Sequence, residues 1–85
     1  PTNFTGSNIT TTSVDLSWSG SASPDGTAAA GYKVYQGSTL ISNITNTSIT
    51  VNLLFTQTKY SFYVLAYDAN GNESALAGPV TITTL

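Results

Sequence analysis

At 85 residues the chain has room for one domain around one hydrophobic core, and its 40% apolar content, interleaved with Ser and Thr, argues against disorder. Only 7% of residues are charged, the net charge is -2, Lys33 and Lys59 are the only basic side chains, and Cys and His are absent. This excludes a phosphate-tracking surface for nucleic acid or anionic membranes, disulfides and thiolate metal sites, and leaves only Asp15, Asp25, Asp68, Glu73 and the lysines as candidate bases.

Phe4 and Ile9 predict an irregular first strand. In Ser13-Val14-Asp15-Leu16-Ser17-Trp18 apolar and polar residues alternate strictly, which marks a strand with one buried face. The Gly, Pro and Asp of residues 19–26 read as a loop, and Thr27-Ala28-Ala29-Ala30, too short to nucleate a helix and closed by Gly31, continues it. Period two returns in Tyr32-Lys33-Val34-Tyr35. The Gln36-Gly37-Ser38 turn leads to a short strand at Leu40-Ile41. Further strands follow at Ser48-Ile49-Thr50-Val51, at residues 60–67 and at Val80-Thr81-Ile82-Thr83, with a tight reversal at Ala69-Asn70-Gly71-Asn72.

Helical periodicity and internal repeats are missing, no apolar run approaches the roughly 20 residues of a membrane span, and about seven strands predict an all-β sandwich. Trp18, Tyr32, Val34, Tyr60, Phe62 and Val64 are expected between its two sheets. The start Pro1-Thr2-Asn3-Phe4 lacks the pattern of a signal peptide, and both ends read as the boundaries of a single domain, residues 1–85, within a longer chain.

Few residues offer chemistry. Asp68 and Glu73 flank one hairpin, but a hairpin tip has no sugar-sized cleft, and the plainer reading is two solvated carboxylates. Asp68-x-Asn70-x-Asn72 matches part of a calcium loop, yet Gly71 is misplaced and no bidentate Glu follows, so an ordinary Asn-Gly turn is the better account. No catalytic residue, cofactor or metal site is expected. Asn3, Asn8, Asn43, Asn46 and Asn72 begin Asn-x-Ser/Thr triplets, which a Ser/Thr-rich chain generates by chance. Strand phase is more informative. With Val34, Tyr60, Phe62, Val64 and Ala66 inward, Tyr35, Tyr63, Leu65 and Tyr67 face outward on one sheet, a candidate interaction surface for a neighbouring domain or a weak polysaccharide contact.

Three constellations together resemble the fibronectin type III family across the whole chain: Thr12-Ser13-Val14-x-Leu16-Ser17-Trp18, Gly31-Tyr32-x-Val34-Tyr35, and Leu54 followed six residues later by Tyr60. The resemblance implies a seven-stranded immunoglobulin-like β-sandwich in which the Tyr60 hydroxyl bonds back to the preceding turn. Where the family usually has Pro-Gly in that turn, this chain has Thr56-Gln57. The Tyr-x-Val-Tyr, Gly-Ser-Thr-Leu and Tyr-Asp-Ala-Asn-Gly-Asn-Glu-Ser segments resemble modules of bacterial polysaccharide-degrading enzymes. That likeness implies a monomeric, non-catalytic spacer of a secreted, multi-domain glycoside hydrolase, with neighbouring domains of its own chain as partners. The alternative is a protein-binding or adhesion module of an extracellular surface protein, using residues 20–30, residues 68–74 or the tyrosine face.

Overall fold

The computed structural model describes residues 1–20 and 29–85. They form seven strands: β1 (Thr2–Ser7), β2 (Val14–Ser19), β3 (Gly31–Gln36), β4 (Thr39–Ile44), β5 (Ser48–Val51), β6 (Lys59–Tyr67) and β7 (Ala77–Thr83). Two antiparallel sheets result, one ordered β1-β2-β5 and the other β4-β3-β6-β7. This is the all-β sandwich expected from the alternation, in the seven-stranded immunoglobulin-like form that the family resemblance implies. Residues 21–28, most of the predicted loop and part of the alanine run, lie outside the described residues.

The boundaries differ in places. β1 ends before Ile9, and Asn3, at a φ of 53°, sits where its register with β2 shifts between Thr2 and Thr5. β4 is longer than Leu40-Ile41, and β7 begins three residues ahead of Val80, across the cis Gly78-Pro79 bond. Gly78 has a φ of 113°, and a Cβ there would lie 2.7 Å from the Phe62 carbonyl oxygen. A bulge opposite residues 62–64 therefore accepts only glycine.

β2 turns Val14, Leu16 and Trp18 inward against Val34 of β3 and Phe62 and Val64 of β6, all of them buried. Burying each such side chain contributes about 1.5–3 kcal/mol. Trp18 meets Phe4 edge-on at a centroid distance of 5.9 Å and Tyr32 at 5.6 Å. Its buried indole N–H has no hydrogen-bond partner among the described residues, which offsets part of the gain.

The end of the sandwich where β6 begins is closed by Tyr60. Its hydroxyl accepts from the Phe55 amide at 2.8 Å, and its ring stacks on Phe62 at 6.2 Å, so the half-buried phenol pins the turn as the Leu54–Tyr60 spacing predicts. The Thr56-Gln57 departure leaves the turn intact because Gln57 itself adopts the left-handed conformation, at a φ of 49°. Thr84, 3% exposed, accepts from the Thr58 amide at 3.0 Å and donates to the Phe55 carbonyl at 2.5 Å.

Register also sets where the chain enters and leaves. Thr2 pairs with Ser19 at the end of β2, beside the start of β3, whereas Thr83 pairs with Lys59 at the opposite pole. The longest dimension is 42 Å, against 20 and 17 Å across. Nine residues of β6 cover about 30 Å at strand rise, so the long axis follows the strands.

Trp18→Ala is expected to cost about 3–5 kcal/mol, through lost burial and the cavity left behind. An unchanged urea midpoint would remove Trp18 from the core. Gln57→Gly should instead stabilise the domain by roughly 0.5–1 kcal/mol by relieving the left-handed backbone. A lowered midpoint for that variant would mean that the glutamine side chain, and not its backbone, holds the turn.

Candidate functional site

β3 and β6 pair without interruption, so the outward residues of both strands meet as cross-strand neighbours: Tyr35 with Tyr63, Lys33 with Leu65, and Gly31 with Tyr67. The four residues singled out from the alternation thus share the outer face of the four-stranded sheet. They are not equally available. Tyr35, Tyr63 and Tyr67 are half-buried, but Leu65 is only 6% exposed. Counting Leu65 as exposed is corrected here. Tyr35, Tyr63 and the exposed Leu76, which arrives from the segment before β7, flank it and make it the floor of a shallow groove edged by Gly37 and Ser38.

Tyr67 is fixed more firmly than the other tyrosines. Its hydroxyl donates to Asn43 Oδ1 on β4 at 2.5 Å, and its ring lies across Gly31, where a Cβ would come 2.6 Å from the ring's Cζ. The Lys33 ammonium sits 5.5 Å from the ring centroid and pairs with Glu73 at 2.6 Å. With its hydroxyl, one ring face and its cation all engaged, Tyr67 serves as a packing post, leaving Tyr35 and Tyr63 as the more open aromatic pair.

The loop supplying Glu73 is organised by Asp68, which is 7% exposed. Asp68 Oδ1 accepts from the Asn70 and Asn72 amides, each at 2.9 Å, and Oδ2 from Asn72 Nδ2 at 3.0 Å. Reading Asp68 as a solvated carboxylate is therefore wrong: burial is tolerated because amide hydrogens surround both oxygens. The Asn-Gly reversal is present, with Gly71 at a φ of 85° and its amide bonded to the Asp68 carbonyl at 3.0 Å.

Four of the five triplet asparagines have local partners. Asn3 bonds Ser19, Asn8 bonds Asp15, Asn43 bonds Tyr67 and Asn72 bonds Asp68. Asp15 also accepts from Thr50 at 2.7 Å. Each acid among the described residues is thus tied to a structural partner: Asp15 to Asn8 and Thr50, Asp68 to the amides of its own loop, and Glu73 to Lys33. What the outer face offers is an apolar groove between two tyrosines, suited to contact rather than bond-making.

Two hydrogen-bonded charges, Asp15 and Lys33, make stability depend on pH at both extremes. The hydrogen bond from Asn8, then that from Thr50, holds Asp15 below its ordinary 3.8, so its contribution is present above that value and is lost as pH falls through the lowered one. The hydrogen bond with Glu73 raises Lys33 above its ordinary 10.5, so its contribution is present below that value and is lost as pH rises through the raised one. Denaturation series for Asp15→Asn and Lys33→Gln should flatten the acid and alkaline limbs respectively. A Lys33→Gln curve parallel to the parent's above pH 10.5 would rule out the Glu73 pairing.

The fibronectin type III domain profile matches residues 1–83. Exoglucanase A of Cellulomonas fimi is 48% identical over 84 residues, which are 99% of this chain and 9% of that protein. Chitinase A1 of Niallia circulans is 42% identical over 84 residues, 99% of this chain and 12% of its own length. Among solved structures, chitinase ChiA74 from Bacillus thuringiensis superposes with a TM-score of 0.84 at 30% identity, covering 96% of this chain and 12% of that one. The chain spans about a tenth of the length of these relatives. With its strand order, its Tyr60 turn and this match over nearly every residue, the chain belongs to the fibronectin type III family.

Proposed function

We propose that this domain is a non-catalytic spacer of a secreted, multi-domain polysaccharide-degrading enzyme. The observation that carries the reading is identity of 42–48% along nearly the whole chain to segments of a chitinase and an exoglucanase. Two enzymes named for different polymers share the segment, so its role is one that does not depend on the sugar. Geometry is such a role.

Entry and exit at opposite poles of a 42 Å body fit it. An unfolded linker of equal length would have an r.m.s. reach of about 45–55 Å, so folding gains little distance. What it removes is the spread of distances and orientations, and with that the entropic cost of bringing two attached domains onto one surface. The outer face is secondary here. Tyr35 and Tyr63 offer stacking over Leu65 but few fixed hydrogen bonds, so any polysaccharide contact would be weak and a neighbouring domain is the better partner.

Deleting the domain from its parent enzyme should lower turnover of insoluble polymer severalfold while leaving soluble oligosaccharides unaffected. Equal loss on both would contradict the spacer role. Retention of the isolated domain on insoluble glucan or chitin, abolished by Tyr35→Ala with Tyr63→Ala, would make it a carbohydrate-binding module instead.

A further inference from the structure

Asn70 is the one asparagine of the chain that is followed by glycine; the others precede Phe, Ile, Thr, Leu or Glu. A glycine amide has no Cβ beside it and is the least hindered backbone nucleophile toward the preceding side chain. In the reaction this permits, the Gly71 nitrogen bonds to Asn70 Cγ, the Cγ–Nδ2 bond breaks, and ammonia leaves with the proton that Gly71 gives up. Water then opens the resulting five-membered imide at either carbonyl, leaving aspartate or isoaspartate at position 70. Water is the only co-reactant, and Asn70 and Gly71 are both exposed to it.

The fold holds this pair back. The Gly71 amide donates to the Asp68 carbonyl at 3.0 Å, so the proton that must leave is engaged and the peptide plane is fixed. On either side of it the Asn70 and Asn72 amides donate to Asp68 Oδ1 at 2.9 Å, and the Asp68 amide donates to the Asn72 carbonyl at 3.0 Å. For the Gly71 nitrogen to reach Asn70 Cγ, the peptide between them must rotate out of this closed turn. A carboxylate that gathers the flanking amides also disfavours the deprotonated amide that attacks.

The same bonds place the residues that follow. Asn72 leads into Glu73, which bridges to Tyr67 in the sheet and pairs with Lys33. Isoaspartate adds one carbon to the main chain between residues 70 and 71 and a negative charge beside Asp68, and the turn cannot keep all its bonds with either addition. We propose that Asn70–Gly71 is a deamidation site held shut by Asp68, and that its conversion to isoaspartate frees the Asn72–Glu73 segment from the sheet.

The test holds the chain in warm, mildly alkaline buffer, folded or in concentrated urea. The tryptic peptide that begins after Lys59 is followed by mass spectrometry for the gain of about one dalton that marks an amide replaced by an acid, and fragmentation locates it. The folded chain should convert about tenfold or more slowly than the unfolded one, because reaction waits on local opening. Asp68→Asn, which keeps an oxygen for the two amides but removes the charge, should speed the folded reaction severalfold, and Asp68→Ala should speed it further, with circular dichroism showing that the sheets persist. If Asp68→Ala does not fold, Asp68→Asn and the urea comparison decide. The isoaspartyl form, resolved from the aspartyl one by chromatography, should exchange its Asn72 and Glu73 amide hydrogens faster while those of β2 keep their rates. Equal rates folded and in urea would overturn the proposal, as would a folded Asp68 variant no faster than the parent, a mass gain at Asn72 instead of Asn70, or an isoaspartyl form with unchanged exchange.

Discussion

The unbroken pairing of β3 with β6 is the constraint on which the remainder depends. Six consecutive partners, from Gly31 with Tyr67 to Gln36 with Phe62, fix the phase of both strands at once. A slip of one residue would flip one strand against the other, turning either Val34 to water with Lys33 driven into the core, or Phe62 and Val64 to water. The same register seats Tyr35 beside Tyr63 over Leu65 and lays Tyr67 across the one position in β3 that has no side chain. Core and outer face are two consequences of one alignment.

The loops at the two poles are held by a common device, a partly or wholly buried oxygen that gathers backbone amides. Tyr60 does this at one pole with a neutral hydroxyl and Asp68 at the other with a carboxylate. The chain has few charges to spend, so it relies on Asn, Thr and Ser for such bonds, as in Asn8 and Thr50 on Asp15 and Thr84 on the turn beside Phe55. Loop shape is thereby set by hydrogen bonds of neutral side chains, some between segments far apart in sequence, rather than by ion pairs, with Lys33–Glu73 the exception.

Period-two alternation made β2, β3 and β6, and with them the core, legible in the sequence, because each has one buried face. It fails where a strand is bent or doubly covered. β7 begins in a glycine bulge at Gly78 that erases the alternation, and β1 contains a left-handed Asn3. Leu65 was placed on the correct face and misjudged in exposure, since it lines a groove with Tyr35, Tyr63 and Leu76, and Leu76 arrives from a loop whose course no local pattern encodes. Asp68 was misread for a related reason: an Asp-Ala-Asn-Gly-Asn string looks alike whether the carboxylate faces water or turns back onto its own amides. The spacing from Leu54 to Tyr60, by contrast, was readable because it is short and is satisfied within the turn itself.

The opposed positions of the two ends have a mechanical corollary. Tension applied between them runs parallel to the strands, and the ladder bonds that join β1 to β2 and β7 to β6 lie across that direction. A pull therefore loads each ladder in shear, where many bonds must yield together, rather than peeling them open one at a time. The rate of forced unfolding would be set by that concerted step. A body with this geometry transmits force between whatever is attached at its poles.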